Sequence, residues 1–347
     1  MGPVTTPPGV VHVEDLAWIR VEHASAVGTA RRAAATFAAR LGIAGERGSE
    51  IELVVSEIAD NQLKHAGSGW LLVRAFRSDR GVGLCLVGVD SGPGMADFGI
   101  ASRDGHSTAG SLGIGLGAVL RLSDSWDVYT EKGAGTVLVA GFGYCDQIPP
   151  GDRTADAGGL TRAMTGQDTC GDAYALRRDG EVVTGLIADG LGHGPLAATA
   201  SRAAVRSFLD AAPGSPGVLL ARVHRDLQGT RGAAVAIAQM RTGAQLCYAG
   251  IGNIGGHLFS GTGRRGLTSM PGIVGGNARA PREFDYALDP DTVVVLHSDG
   301  VSEKVVLPAG GGLPRRTPMV IAAKILRDHG VRNDDAGVLV MRPGPAT

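Results

Sequence analysis

The segment S-E-I-A-D-N-Q-L-K-H-A, residues 56–66, decides the fold of the first part of the chain. Glu57, Asn61 and His65 are spaced four residues apart, and this spacing places them on one face of a helix. The apolar residues between them fall largely on another face, so we predict an amphipathic helix over Ser49–His65 that begins with its N-cap serine. Taken alone, the polar stripe is equally typical of an ordinary solvated helix face.

Two glycine-rich segments follow this helix. In V-D-S-G-P-G, Asp90 ends an apolar run, and Gly92 and Gly94 come directly after it. A carboxylate accepts a hydrogen bond from an exocyclic amine, and glycine lets the backbone approach a ligand closely. In G-S-L-G-I-G-L-G, residues 110–117, four glycines precede a predicted helix, whose N-terminal amides suit a phosphate. Either segment alone is weak evidence for a nucleotide site, because the chain contains 55 glycines.

The three segments together, in this order and spacing, resemble the GHKL ATPase superfamily over about residues 15–143. The stretches N-Q-L-K-H-A (61–66) and S-L-G-I-G-L-G (111–117) are most similar to the RsbT-type serine kinases of bacterial partner-switching modules. The resemblance implies an α/β sandwich of the Bergerat type that binds ATP with Mg²⁺.

The same resemblance assigns roles to individual residues. Asn61 would coordinate the Mg²⁺ of ATP, Glu57 would be the general base, and Asp90 would hold the adenine amino group. His65 is interpreted as a structural residue rather than a phosphoacceptor. The glycines that would line the nucleotide or wrap its phosphates are Gly92, Gly94, Gly113, Gly115 and Gly117.

Acidic turns recur at strand ends in the second half of the chain. They are G-D-A-Y with Asp172, A-D-G-L-G-H-G with Asp189, S-D-G-V-S-E with Asp299, and D-D-A-G-V-L-V with Asp334 and Asp335. Any one of them alone is typical of an ordinary turn. If they converge, the carboxylates repel one another, and two hard divalent cations that activate a water would neutralise them.

These segments, in this order, resemble the metal-dependent protein phosphatases of the PPM superfamily, in the SpoIIE/RsbX-like branch, over about residues 161–342. The resemblance implies a β-sandwich flanked by helices and two Mn²⁺ or Mg²⁺ ions. It implies that Asp189 is the central catalytic ligand that bridges both metals and that Gly190 contributes its carbonyl. Asp172, Asp299 and Asp334 would complete the metal shells, with Asp335 as the alternative to Asp334.

Three positions near this site stay open. The family usually has a threonine where this chain has Gly337, which puts the positioning of Asp334 in doubt. His193 is either a proton donor to the leaving group or a loop-shaping residue, and we favour the second. Asn253, in G-I-G-N, is either a polar site residue or a turn former.

The chain has 347 residues, a length that predicts about two domains. The predicted domains are a GHKL kinase-like domain (1–145), a linker (146–160) without apolar periodicity, and a phosphatase domain (161–347). The fold class is therefore α+β or α/β with two domains. The predicted elements include a strand at Ala17–Glu22 and helices at Ser25–Leu41, Ala118–Leu122, Pro195–Ala211, Pro216–Leu227 and Pro318–Asp328.

Composition excludes several functions. The 33 basic and 34 acidic residues leave a net charge of −1, so no nucleic-acid footprint is visible. The four cysteines, Cys85, Cys145, Cys170 and Cys247, form no C-x-x-C pair, which argues against a zinc ribbon or a disulfide framework. No apolar run is long enough to span a bilayer and no leader pattern opens the chain, so we expect a cytoplasmic bacterial protein without membrane contact.

A kinase and a phosphatase on one chain suggest one regulatory substrate. The resemblance implies that the protein phosphorylates and dephosphorylates STAS-domain proteins and so controls sigma-factor release in stress signalling. A sigma factor or a downstream phosphatase is a further candidate partner. In the alternative hypothesis, the N-terminal domain is a non-catalytic module that binds a sigma factor or senses ATP, attached to a phosphoserine phosphatase.

Overall fold

This computed structural model describes residues 10–96, 98–101, 115–145, 156–241, 244–307 and 312–343. They form two compact units, one within His12–Thr154 and one within Ala155–Thr347, with Val10 and Val11 grouping with the second. Each unit has a hydrophobic core of its own.

The first unit is a layer of helices on a sheet with the strand order β1-β2-β3-β5-β4. Its strands are β1 (Val10–Val21), β2 (Gly69–Ser78), β3 (Gly81–Asp90), β4 (Ser125–Thr130) and β5 (Thr136–Gly143). Its helices are α1 (Ala24–Arg40), α2 (Glu46–Asn61), α3 (Phe98–Ala101) and α4 (Gly115–Leu122), and α2 continues into one π-helical turn, Gln62–Ala66.

The core of this unit lies between the helices and the sheet. Helix α1 buries Ala30, Ala34 and Ala38 at a spacing of four, and these small side chains let α2 pack closely against it. The face of α2 that carries Val54 and Ile58 packs in the same core. The polar stripe of α2 is therefore held on the side of the helix away from this apolar contact.

Three predictions for this unit were wrong at element boundaries. Strand β1 begins seven residues before the predicted Ala17. Helix α2 begins at Glu46 rather than after Ser49, because Gly45, with φ 65°, turns the chain into the helix. Helix α4 begins at Gly115, three residues before the predicted start.

The second unit is a sandwich of two sheets with helices outside, and the predicted architecture is confirmed. One sheet has the order β13-β10-β9-β8-β7 and the other β12-β11-β14-β15-β6. The strands are β6 (Ala157–Arg162), β7 (Asp172–Asp179), β8 (Val182–Gly190), β9 (Ala233–Arg241), β10 (Gln245–Ile251), β11 (Gly255–Ser260), β12 (Gly263–Gly266), β13 (Phe284–Ala287), β14 (Val293–His297) and β15 (Ala336–Met341).

The helices of this unit cover the outer faces of the two sheets. They are α5 (Pro195–Leu209), α6 (Pro216–Asp226) and α7 (Pro318–His329), and a single 3₁₀ turn spans Leu313–Arg315. Helices α5 and α6 pack on the sheet of β8 and β9, and α7 packs on β6 and β15. All three begin with proline at the first turn, as predicted, because proline loses no hydrogen bond there.

Strand β7 is absent from the sequence-based expectations because its sequence is polar. Arg177 in this strand is buried, and its guanidinium donates hydrogen bonds to the carbonyls of Phe208 (3.3 Å) and Ala211 (2.7 Å). A buried cation that satisfies the carbonyls at a helix end has no apolar signature in the sequence.

Strand β6 begins inside the predicted linker of 146–160, of which residues 146–155 lie outside the described residues.

Candidate functional sites

The N-terminal site is built where α2 passes into the π-helical turn. Asn61 is the last residue of α2, and its buried Nδ2 has no hydrogen-bond partner among the described residues. Glu57 lies one turn earlier, and burial raises the pKa of its carboxyl, with Lys64 opposing the shift and Asp60 adding to it. The two predicted groups therefore lie on successive turns of one helix, and the asparagine amide is available to a ligand.

Asp90, the last residue of β3, is held by backbone groups. Its Oδ1 accepts hydrogen bonds from the amides of Gly92 (2.9 Å) and Thr136 (3.3 Å). A side chain at position 92 would meet the Cβ of Ala66 at 2.5 Å, and one at position 94, where φ is 61°, would collide with the carbonyl of Glu131. Both glycines are thus required by close approach of neighbouring chain segments, and the amides of Gly92 and Thr136 fix the direction of the Asp90 carboxylate.

Only part of the glycine segment 110–117 lies within the described residues. Gly115 opens α4 with φ 25°, and Gly117 is buried in the same helix. Gly113 lies outside the described residues, so its predicted contact with phosphate stays a prediction.

The residue that ties this site together is Gln62, which the sequence interpretation missed. Gln62 is 3% exposed, and its Nε2 donates to the carbonyls of Trp70 (2.9 Å) and Val89 (3.3 Å). His65, interpreted as the structural residue of this motif, is instead exposed. The structural role falls to Gln62 because the π-helical turn directs it toward strands β2 and β3.

The C-terminal site is a convergence of carboxylates at strand ends. Asp172 opens β7 and is paired in register with Asp189 near the end of β8. Burial and repulsion from Asp299 and Asp334 raise the pKa of Asp189 to about 7. Burial and repulsion from Asp189 raise the pKa of Asp172 well above its ordinary value, although Ser298 opposes this shift. The fold therefore brings the four predicted aspartates close enough to oppose one another's ionisation.

The donor set suits divalent cations. Oδ1 of Asp172 is buried and has no hydrogen-bond partner among the described residues, which is costly unless a cation or a proton compensates. Oxygen ligands with several negative charges are those that Mg²⁺ and Mn²⁺ prefer. A side chain at Gly190 would collide with the carbonyl of Ala197, so only glycine lets α5 begin this close to the site.

Asp334 and Asp335 have different environments. Asp335 is 3% exposed, and its two carboxylate oxygens accept hydrogen bonds from the amides of Met164 and Gly171, both at 2.9 Å. Asp334 is only partly buried and lies near enough to Asp189 to raise its pKa. Both oxygens of Asp335 are thus bonded to backbone amides, although its charge also raises the pKa of Asp172. Asp334 accepts one backbone amide, that of Asp335, at its Oδ1 (2.9 Å), and its charge acts on Asp189.

The serine next to Asp299 supplies a hydroxyl that sequence analysis did not assign. Ser298 Oγ donates to Oδ2 of Asp172 at 2.5 Å and accepts from the amide of Gly337 at 2.8 Å. A Cβ at position 337 would lie 3.3 Å from Asp172 Oδ2. Position 337 therefore lies beside Asp172, where Ser298 provides a hydroxyl, and the expected effect on the positioning of Asp334 stays a prediction.

The two open polar residues also have positions in the structure. Asn253 is exposed, and its Nδ2 donates to Oδ2 of Asp299 at 2.7 Å, which identifies it as a residue of this site. His193 is exposed in the turn between β8 and α5.

The fold and the two sites define a chain with an ATPase-like unit followed by a phosphatase-like unit, and comparison with known proteins agrees. Residues 21–142 match the histidine kinase-like ATPase domain family, and residues 179–342 match the stage II sporulation protein E (SpoIIE) family. The serine/threonine-protein kinase RsbT of Bacillus subtilis (strain 168) is 33% identical over 129 residues, which cover 37% of this chain and 96% of RsbT.

Solved structures give similar matches. A structure described as the bacterial stressosome, a modular system adapted to control secondary messenger signalling, is 32% identical and covers 54% of this chain and 98% of its own, with a TM-score of 0.50. The PP2C phosphatase domain of SpoIIE from Bacillus subtilis, with a fragment of its regulatory domain, is 13% identical, with a TM-score of 0.46 over 76% of this chain and 80% of its own.

The chain belongs to the RsbT family of serine/threonine kinases through its N-terminal part, and its C-terminal part is a SpoIIE-type PPM phosphatase domain. The predicted family membership is therefore confirmed. The protein is an enzyme that joins a kinase domain of the ATP-binding type to a protein-serine/threonine phosphatase domain of a metal-dependent family. Among the described residues, none of the helices combines the length and apolar character that a bilayer crossing requires.

Proposed function

We propose that this protein sets the phosphorylation of a STAS-domain regulator from both directions, and so controls sigma-factor release in stress signalling. The observation that carries the proposal is the presence, on one chain, of an RsbT-type kinase domain and a SpoIIE-type phosphatase domain. Opposed activities on one polypeptide are useful when they share a substrate. The proposed location is the cytoplasm.

For the kinase domain, the structure supports a role for three side chains. Asn61 would hold the Mg²⁺ of ATP through its amide oxygen, and its unpartnered Nδ2 is left as a hydrogen-bond donor. Asp90 would accept a hydrogen bond from the adenine amine. Glu57 is the proposed general base, because burial raises the pKa of its carboxyl and makes it a better proton acceptor near neutral pH. Gly92 and Gly94 would line the nucleotide, with Gly115 and Gly117 near its phosphates.

For the phosphatase domain, Asp172, Asp189, Asp299, Asp334 and the carbonyl of Gly190 would hold two Mn²⁺ or Mg²⁺ ions. When bound, the ions would activate a water and neutralise the charge of the phosphate. Ser298 orients Asp172, and Asn253 orients Asp299, so these two ligand carboxylates each have a hydrogen bond that fixes their direction.

The test is a separation of the two activities in the full-length chain. The protein is incubated with ATP, Mg²⁺ or Mn²⁺ and a STAS-domain protein, and phosphate on that protein is followed by mass spectrometry. Asn61→Ala should abolish transfer from ATP and leave dephosphorylation intact. Asp189→Ala should remove dephosphorylation by roughly 10²–10³-fold, so that the phosphorylated partner accumulates.

The two variants also distinguish the alternative. If Asp189→Ala fails to raise the phosphorylated fraction while wild-type protein still removes phosphate from a phosphorylated partner, then the N-terminal domain is a binding or sensing module. If the wild-type protein neither adds phosphate to a STAS-domain protein nor removes it, the proposed substrate class is wrong.

A further inference from the structure

A second group of ligating side chains lies in the second unit, outside the carboxylate cluster. His257 on β11, His297 at the end of β14 and Glu303 in the segment after it place one donor atom each within 4.8 Å of one another. In the antiparallel pair of β11 and β14, Gly255 is opposite His297 and His257 is opposite Val295. The two histidines are therefore diagonal neighbours on one face of the sheet.

His297 is poised as a ligand. Its Nδ1 lies 2.9 Å from the carbonyl of Ser298, so Nδ1 carries the proton and Nε2 presents its lone pair. The Nε2 atom is buried, in a residue with no exposed surface, and has no hydrogen-bond partner among the described residues. This backbone contact is the kind of supporting hydrogen bond that orients a metal-bound imidazole.

Gly255 lets His297 and Glu303 approach the backbone closely. A Cβ at position 255 would lie 2.5 Å from His297 Nε2 and 2.9 Å from Glu303 Oε1. The imidazole and the carboxylate therefore lie side by side in the position that a side chain at 255 would occupy. His257 closes the group, because its Nε2 lies 3.1 Å from Glu303 Oε2.

We propose that His257, His297 and Glu303 form a binding site for a divalent transition metal of the zinc class. Two imidazole nitrogens and one carboxylate are a three-ligand set that Zn²⁺ accepts with a fourth position open. Donor atoms around a tetrahedral Zn²⁺ lie roughly 3.4 Å apart, since each bond is about 2.1 Å. The three donor atoms lie within 4.8 Å of one another, so metal binding would draw the two imidazoles and the exposed Glu303 carboxylate closer together.

This site differs in chemistry from the carboxylate cluster. Imidazole favours zinc, cobalt and nickel, whereas the oxygen-only cluster favours magnesium and manganese. The proposal is independent of the proposed kinase and phosphatase activities, because it rests on three residues to which those activities assign no role.

Arg264 is the group that opposes a cation here. Its Nη2 lies 2.8 Å from His257 Nε2 and 3.6 Å from Glu303 Oε2. A guanidinium does not ligate metals, so it must turn away when a metal binds. Its side chain is 37% exposed, and solvent is available to receive it. Arg264 therefore competes with the metal for the same two ligands.

The experiment titrates the full-length protein with Co²⁺ in excess Mg²⁺, which keeps the carboxylate cluster saturated. Visible absorption reports four-coordinate Co²⁺ bound through imidazole, and mass spectrometry of washed protein counts the metal. We expect one such Co²⁺ per chain, displaced by Zn²⁺. Glu303→Ala should weaken binding by more than the ~10–100-fold typical of losing a supporting contact.

Matched variants decide the result. Glu181→Ala, an exposed glutamate in the turn between β7 and β8, should bind Co²⁺ as the wild type does. Arg264→Gln should tighten binding by at least tenfold, because it removes the competing cation. The proposal is overturned if Glu303→Ala binds Co²⁺ like Glu181→Ala, if Arg264→Gln does not tighten binding, or if the wild type shows no four-coordinate Co²⁺.

Discussion

The two functional sites differ in how their buried charged groups are stabilised. At the N-terminal site, Asp90 Oδ1 accepts hydrogen bonds from two backbone amides and Gln62 Nε2 donates to two carbonyls. The buried atoms left there without a partner among the described residues are neutral amide atoms, Asn61 Nδ2 and Gln62 Oε1. At the C-terminal site, burial and repulsion from Asp189 raise the pKa of Asp172, and burial and repulsion from Asp299 and Asp334 raise the pKa of Asp189. One oxygen of Asp172 is left without a partner among the described residues.

The difference indicates what each site requires from outside. The charged group of the N-terminal site, the Asp90 carboxylate, is held by backbone amides and needs no cation to keep its direction. A cluster of like charges is stabilised only by protons or by cations, so its geometry and its stability both depend on what binds there.

The sharpest test of this contrast compares two adjacent aspartates. Asp334→Asn should lower phosphatase activity on the order of 10²-fold or more, because it removes a carboxylate facing the cluster. Its free energy of unfolding without divalent metal should be unchanged or higher, because repulsion is relieved. Activity and urea denaturation in the presence of chelator are the measurements.

Asp335→Asn is the matched control. It should lower the free energy of unfolding by about 1–3 kcal/mol, because one of its two amide-bonding oxygens becomes a donor. If the asparagine at 335 abolishes activity without loss of stability while the one at 334 keeps full activity, then Asp335 is the ligand.

The next effect concerns the nucleotide. Asp90→Asn should weaken ATP binding by about 10–100-fold, since hydrogen bonds to charged groups contribute ~1.5–3 kcal/mol. Calorimetry with MgATP measures it. Asp79→Asn, in the turn between β2 and β3, is the control and should bind ATP normally. Equal affinity in both variants would show that Asp90 does not contact the nucleotide.

The third effect is a pH dependence of the free energy of unfolding, measured in the presence of a chelator. The folded protein raises the pKa of Asp189 to about 7, above the ordinary value near 3.9, so it binds this proton more tightly than the unfolded chain does. The resulting stability is present at about pH 4 and is lost as the pH rises to about 7. After a discount for solvent screening, we expect a loss of ~1–2 kcal/mol.

Urea denaturation of the wild type and of Asp189→Asn between about pH 5 and pH 8 isolates this contribution. The slope of the free energy of unfolding against pH should be smaller in the variant than in the wild type. Added Mg²⁺ should remove the pH dependence of the wild type. A variant that keeps the full slope would assign the proton to another group.

The smallest effect tests the serine beside Asp299. Ser298→Ala removes the donor to Asp172 and the acceptor for the amide of Gly337, which should lower stability by about 1 kcal/mol. It should also raise the Mg²⁺ concentration needed for half-maximal phosphatase activity severalfold, with little change at saturating metal. Ser298→Thr, which keeps the hydroxyl, should restore the metal dependence if it fits, whereas equal loss in both variants would indicate packing alone.

Much of the fold was predictable because periodicity and turn chemistry are local. The proline-started helices α5, α6 and α7 lie close to their predicted bounds. Strand β7 was not predicted, because the burial of Arg177 in it depends on carbonyls that a distant helix end provides, together with Asp179. The start of α2 was missed because Gly45 turns the chain without any capping side chain.

The sequence by itself determined the two domain families and named the acidic and amide residues at the sites, because these depend on residue type, order and spacing. Only the tertiary structure decided which of two adjacent aspartates is occupied by backbone amides, which hydroxyl meets Asp172, and that His257 and His297 share a face. Each of these depends on residues far apart in sequence, and their contact follows from strand register, which no local pattern specifies.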